Sequence, residues 1–305
     1  MAPFFLMNCR DEPTPDVLNT VPDIVPEEEI LKIPVVVHVV NYSPAPFEVS
    51  DEKIASQLDV LNQDYRKKNT DWSNTPTEFM DLVSDVGIEF FLAEVDPDGN
   101  PTTGITRISS EVTGWEGRRL DECDVIEELT LYFTEKGGST AWPRDQYLNI
   151  WIADLSDRNG NLALAGYANE PGCDERIDGV VMDPRVFGIL PPLAVAHQLG
   201  RTATHEIGHW LGLRHIFGKA GVCEDDPDDG DLISDTPTQQ SMYLGKPTHP
   251  SLSCGSNDMF MNFMDLVDDE AMFMFTAGQR KRMRSLFNEG ESRRDLYLTI
   301  RTNSN

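Results

Sequence analysis

The stretch from His205 to His215, HEIGHWLGLRH, constrains this chain more than any other. His205 and His209 are four residues apart, so on an α-helix they share a face and reach one small cation together. Gly212, three residues after His209, is free to take positive φ, end the helix and turn the chain back sharply. That reversal brings His215 to the same ion. A fold compatible with this stretch must hold a helix, a tight turn and a third imidazole around one point. Neutral imidazoles bind Zn2+ at roughly 2.0–2.1 Å, and three protein ligands leave the fourth tetrahedral position open, the arrangement of a catalytic zinc. Glu206, next to the first ligand, points off the ligand direction and is the candidate general base and acid on a zinc-bound water. The competing reading is of satisfied histidines on a half-buried helix face. It loses because three of the chain's six histidines fall at ligand spacing within this one stretch.

Composition narrows the partners. The 305 residues, 39% of them hydrophobic, suffice for a substantial core in one large or two modest domains. With 52 acidic against 25 basic residues, the net charge of −27 argues against binding nucleic acid or anionic membranes. It favours basic polypeptides and cations as partners, although acidity also serves plain solubility. No run of 18 apolar residues occurs, so no membrane span is expected. The opening MAPFFLMNCR is apolar but lacks a basic flank, and a secretory signal is expected to be removed or vestigial. Five cysteines, at 9, 123, 173, 223 and 254, fit no CxxC pattern, and an odd number leaves at least one unpaired within the chain. Secretion with one or two disulfides is the expectation.

Along the chain, residues 1–30 are rich in Pro and acids and read as an N-terminal extension or pro-segment remnant. Cys9 within it is either a thiolate that reaches back to the metal and keeps the protein latent or an ordinary cysteine. IPVVVHVVNY from Ile33 is a continuous apolar run, the mark of a buried strand, with His38 read as a core histidine. Ser50 and Asp51 offer a cap to a helix whose Ile54, Leu58, Leu61 and Tyr65 recur at helical spacing. VGIEFFLAEV, TTGITRIS and YLNIWIADL read as further strands, with DPDGN as a turn in which Asp96 and Asp98 serve the backbone. LALAGYA suggests an edge strand, with Ala165, Gly166, Tyr167 and Ala168 offering free backbone groups to an extended peptide. The motif helix is expected to begin near residues 193–197 or at Arg201 and to bury Leu199, Ala203, Ile207 and Leu211. Beyond it, CEDDPDDGDLISDTP is not an EF-hand; Asp231, Asp235 and Thr236 either bind a hard cation such as Ca2+ or form a solvated acidic loop. Thr276 and Gln279 make a capping box for a last helix that buries Met283, Leu286 and Phe287.

From about Leu31 onward the chain resembles the pappalysin family of metzincin zinc metallopeptidases, in its branch of small microbial enzymes. The likeness rests on IPVVVHVV, YLNIWIADL, AGYA, DGVVMD, GRTATHEIGHWLGLRHIF, DLISDTP and NFMDLVDDEAMFMFTAGQRKRM. It implies zinc on His205, His209 and His215, Glu206 as general base, and Met264 as the Met-turn residue beneath the metal. It also implies calcium near Asp231 and Thr236, a Cys223–Cys254 disulfide, and Asp269 as the carboxylate that selects Arg or Lys after the scissile bond. Three features depart from the family pattern. Leu266 stands where relatives carry a Tyr credited with stabilising the tetrahedral intermediate. Ala271 stands where they often carry Cys, and its partner is absent from residues 238–253 as well. The N-terminal segment is shorter than a full pro-domain.

The expected fold is therefore α/β (α+β) and metzincin-like. It has a twisted, mostly parallel sheet with an antiparallel edge strand, a backing helix, an active-site helix, and an irregular C-terminal subdomain ending in a helix. An upper subdomain would span residues 31–212 and a lower one 213–305. The expected function is a secreted or extracytoplasmic zinc endopeptidase cleaving extended polypeptides before Arg or Lys. The alternative is a peptidase-like protein impaired in turnover, through Leu266, that only captures polypeptides.

Overall fold

The computed structural model describes residues 24–42, 47–112, 115, 129–157, 159–218, 221, 223 and 230–303. Cys9 and Cys123 lie outside them, as does the latency role considered for Cys9.

The run from Ile33 becomes β1 (Leu31–Tyr42), the spine of a six-stranded sheet. One edge pairs in parallel first with β2 (Ile88–Leu92) and then with β3 (Ile105–Ser110). The other edge pairs in parallel with β4 (Leu148–Ala153). Beyond β4 comes β6 (Val180–Met182), and then β5 (Gly166–Ala168), antiparallel to β6 and last in the order β2-β1-β4-β6-β5. A strand that pairs on both edges and is covered on both faces has no polar face, which explains the unbroken apolar run in β1.

The two faces are divided by the period of two. Ile33, Val35, Val37 and Val39 face the larger core with Leu148, Ile150 and Ile152, under helices α1 (Asp51–Asp64) and α2 (Arg201–Trp210). Val40, Trp151 and Val181 face a smaller core closed by Leu131 and Tyr132. His38 lies on this far face, fully buried. Its Nδ1 meets the hydroxyls of Thr106 and Ser139 (both 2.9 Å), its Nε2 meets Asn149 Oδ1 (3.0 Å), and its ring stacks on Trp151. Burial pushes its pKa down to about 4. It is a core histidine, remote from the motif.

Helix α1 starts at the expected cap, with Ser50 Oγ accepting from Lys53 N at 3.2 Å. It lies against α2, where Tyr65 donates its hydroxyl to Thr204 O (3.0 Å). After α2, irregular chain leads to α3 (Ala277–Ser285), which opens with the capping box of Thr276 and Gln279. The expectation of a single last helix needs correction: α4 (Arg294–Asn303) follows. Its Leu296 and Tyr297 join the main core, and the Tyr297 hydroxyl reaches Glu29 Oε2 (3.0 Å). Its apolar stripe is short and bounded by charges, so the pattern alone does not reveal it.

Candidate metal centre

Helix α2 begins at Arg201, the later of the two expected starts, after Gly200 in a left-handed conformation (φ 71°) that supplies no side-chain cap. The cap comes from Asp269, about seventy residues on. Its Oδ2 accepts from the backbone N–H of Leu199 (2.8 Å) and Arg201 (3.2 Å), placing an anion at the positive end of the helix. The Arg201 side chain is buried. It donates to Asp71 (2.6 and 2.8 Å) and to the carbonyls of Asp269 (3.0 Å) and Met272 (2.8 Å). Asp64 lies 3.6 Å from the same guanidinium and accepts from Thr204 Oγ1 at 2.7 Å; burial pushes its carboxyl up to about 7. These bonds fix the first turn of α2. Ala203, Ile207 and Leu211 are fully buried behind the helix, whereas Leu199 precedes it and is only partly buried.

The helix ends as its glycine suggests. Gly212 takes φ 78°, its N–H donates to His209 O (2.8 Å), and Leu213 N–H donates to Gly208 O (2.9 Å). The turn returns His215 to the helix face. The three imidazole Nε2 atoms then form a nearly equilateral triangle: His205 to His209 3.0 Å, His209 to His215 3.1 Å, and His215 to His205 3.2 Å. His205 Nδ1 lies 2.7 Å from Phe263 O and His209 Nδ1 lies 2.8 Å from Leu213 O. A carbonyl accepts only, so each Nδ1 carries the proton and each Nε2 presents a lone pair to its neighbours. Two such lone pairs 3.0 Å apart, with His215 Nε2 beside both, call for a cation. The triangle's edges are close to the ~3.3 Å between ligands of a tetrahedral ion bound at 2.0–2.1 Å. Among the described residues this is the one His/Cys/Asp/Glu cluster whose ligand atoms converge in this way.

Glu206 is buried beside the triangle, and burial pushes its carboxyl up to about 8. Strand β5 lies on top of it. A Cβ built on Gly166 would meet Glu206 Cγ at 3.2 Å, Met182 Sδ at 3.0 Å and Val181 O at 2.9 Å, so only glycine lets strand and carboxylate approach this closely. Tyr167 pairs with Val181 and Ala168 with Val180, on the side of β5 toward the sheet, and Ala165 O accepts from Asp183 N (2.9 Å) on the same side.

Beneath the centre lies Met264, fully buried. A Cβ on Gly208 would stand 2.5 Å from its Sδ, so the methionine rests directly on the helix between His205 and His209. Asn262 holds this turn: Met264 N–H donates to its Oδ1 (3.0 Å), and its amide exchanges two bonds with Gln279 (2.8 and 2.9 Å). The capping glutamine of α3 therefore also braces the turn under the three histidines. Leu266 follows, partly buried, its N–H on Asp265 Oδ1 (2.7 Å).

In the acidic loop, Asp231 accepts from Ile233 N (3.0 Å) and from Thr236 Oγ1 (2.7 Å), so these two candidates lie together. Burial pushes the Asp231 carboxyl up to about 6. Asp235 turns elsewhere, its oxygens accepting from Thr276 Oγ1 (2.7 Å) and Gly278 N (2.8 Å) at the start of α3. It serves as a second cap for that helix, a partnership across 41 residues that no local pattern announces. Cys223 and Cys254 form a disulfide with Cα atoms 5.0 Å apart, and Cys173 is disulfide-bonded as well. The residues that sequence reading missed are Arg201, Asp64 and Asp71, and His197 beside Asp269. Among these the one available signal was a cluster of polar residues, GRTATHE, opening an otherwise buried helix.

Comparison with known proteins agrees with this geometry. The peptidase M43 family model, described as pregnancy-associated plasma protein-A, matches residues 135–288. Extracellular metalloprotease 1 of Coccidioides posadasii is 30% identical over 246 residues, covering 79% of this chain and 70% of that protein. An extracellular metalloprotease of Sordaria macrospora is 45% identical over 147 residues, covering 47% of this chain and 48% of that protein. Among solved structures, mature mirolysin of Tannerella forsythia in complex with a cleaved peptide matches with a TM-score of 0.79 and 39% identity. The match covers 91% of this chain and 99% of that one.

Proposed function

Because this chain belongs to the pregnancy-associated plasma protein-A family of M43 peptidases and is thus a metalloendopeptidase, we propose that its metal is zinc, held by His205, His209 and His215, and that Glu206 moves the proton. The observation that carries this reading is the convergence of three imidazole Nε2 atoms within 3.2 Å, beside a buried carboxylate and under an edge strand. Zinc bound there would supply a Lewis acid for the scissile carbonyl and the attacking water. Glu206 takes the proton from that water and delivers it to the leaving amine. Met264 and Gly208 keep His205 and His209 in register. Substrate is an extended polypeptide that adds a strand to the free edge of β5, along Ala165, Gly166, Tyr167 and Ala168. Asp269 takes the basic side chain after the scissile bond, so cleavage falls before Arg or Lys. In support, Asp269 Oδ1 is buried and has no hydrogen-bond partner among the described residues. The chain divides at the end of α2 into an upper subdomain, residues 31–212, and a lower one, 213–305.

Calcium would bind at Asp231 and Thr236 in a structural role. Secretion is supported by the disulfides and by relatives named as extracellular. No helix among the described residues is long and apolar enough to cross a membrane. The test is Glu206→Ala: bound zinc should stay stoichiometric by atomic emission while cleavage of casein is lost. Cleavage retained by that variant would overturn the role of Glu206.

A further inference from the structure

The two oxygens of Asp269 have unlike surroundings. Oδ2 is fixed by the N–H groups of Leu199 and Arg201, whereas Oδ1 is buried without a hydrogen bond among the described residues. The side chain facing Oδ1 is His197, whose Nδ1 is 3.9 Å away. The imidazole is 27% exposed, and its Nδ1 shares a 2.9 Å hydrogen bond with Thr202 Oγ1. The other charged groups nearby are already engaged. On α2, Arg201 points to Asp71; Asp64 of α1 and Asp71 of the 3-10 turn Thr70–Asn74 both face Arg201. His197 is thus the ionisable neighbour that faces the free oxygen, and burial raises the Asp269 carboxyl itself from its ordinary value.

We propose that His197 is a specificity-determining residue that makes the preference for a basic side chain depend on pH, an inference that rests on Asp269 being the selector. The neutral imidazole leaves Oδ1 to the guanidinium or ammonium of the substrate residue that follows the scissile bond. The imidazolium sets a positive charge across the 3.9 Å gap, where it satisfies the carboxylate and repels the incoming cation. Apolar side chains make no use of Oδ1. Their cleavage does not lose this contact when His197 is charged.

The experiment measures kcat/KM of the zinc-loaded protein on two fluorogenic peptides that are identical except for Arg or Leu after the scissile bond. Wild type, His197→Gln and Asp269→Asn are compared between about pH 8 and about pH 5. In the wild type the Arg-to-Leu ratio should fall about tenfold or more toward the acid end. In His197→Gln the fall should be clearly smaller, what remains being protonation of the buried Asp269 carboxyl itself, and His197→Asn should repeat that result. Asp64 titrates in the same range but is present in both proteins, so the comparison removes it. A His197→Gln ratio that falls in parallel with the wild type overturns the inference. If Asp269→Asn keeps its preference for Arg, the selector assignment has failed. If that preference disappears while His197→Gln still tracks the wild type, only the role of His197 has failed.

Discussion

Gly208 sits in the middle of α2, where alanine would ordinarily be preferred. Replacing an interior helical glycine by alanine gains roughly 0.8–1.0 kcal/mol from propensity alone. Here the added methyl would stand 2.5 Å from Met264 Sδ, 3.3 Å from Met264 Cε and 3.6 Å from Leu213 Cδ1. The first distance is far inside van der Waals contact. Met264 is fully buried and cannot swing into solvent. Overpacking of this kind costs about 1–3 kcal/mol. The two effects oppose each other, and the collision is the larger. Gly208→Ala should therefore lower stability, by up to about 2 kcal/mol. In a Met264→Ala background the obstacle is gone, and the same substitution should become neutral or stabilising by up to about 1 kcal/mol. Urea melts of the four proteins, followed by tryptophan fluorescence, measure the cycle. Gly208→Ala stabilising in the presence of Met264, or by the same amount in both backgrounds, would refute the claim that the methionine bears on the helix. Because this contact lies between two of the proposed ligands, the single variant should also weaken zinc binding by about 10–100-fold, as losses of supporting contacts around metal ligands do.

Two further predictions concern pH and calcium. His38 has a folded-state pKa of about 4 against an ordinary value of 6.5, so the unfolded chain takes up its proton first as pH falls. Stability is full above about pH 6.5 and is lost toward about pH 4. The gap of about 2.5 at about 1.4 kcal/mol each gives roughly 3 kcal/mol. His38→Asn should flatten that part of the stability curve, and parallel curves for the two proteins would show that His38 is not the group responsible. For calcium, a concentration about a hundredfold above its dissociation constant should add roughly 2.7 kcal/mol to the wild type. Asp231→Asn should lose most of that gain, and an equal rise in melting temperature for both proteins would remove Asp231 from the site.

What could be read without coordinates was whatever local spacing encodes. The triad of histidines, the helix stop at Gly212, the cap at Ser50 and the box at Thr276 all follow from offsets of three to six residues. The apolar β1 run announced a buried strand, but not that it pairs with three others. Interactions between distant segments stayed hidden. The start of α2 is fixed by a carboxylate at residue 269, Asp235 accepts hydrogen bonds at the start of α3, and Gln279 serves two turns at once. Gly208 receives no role from the spacing of the motif. Its reason lies in a methionine 56 residues on, and only packing reveals that.

The central position of β1 also shapes how the chain must come together. Val35 pairs with Leu148, 113 residues later, while β2 and β3 occupy the opposite edge. At a synthesis rate of about 5–20 residues per second, the strand waits roughly 6–23 s beside the ribosome before that partner emerges. Its Val-rich edge is unpaired throughout the wait, and parallel pairing across so long a separation forms slowly. The segment that most firmly organises the finished sheet is thus the segment a holdase chaperone would meet first.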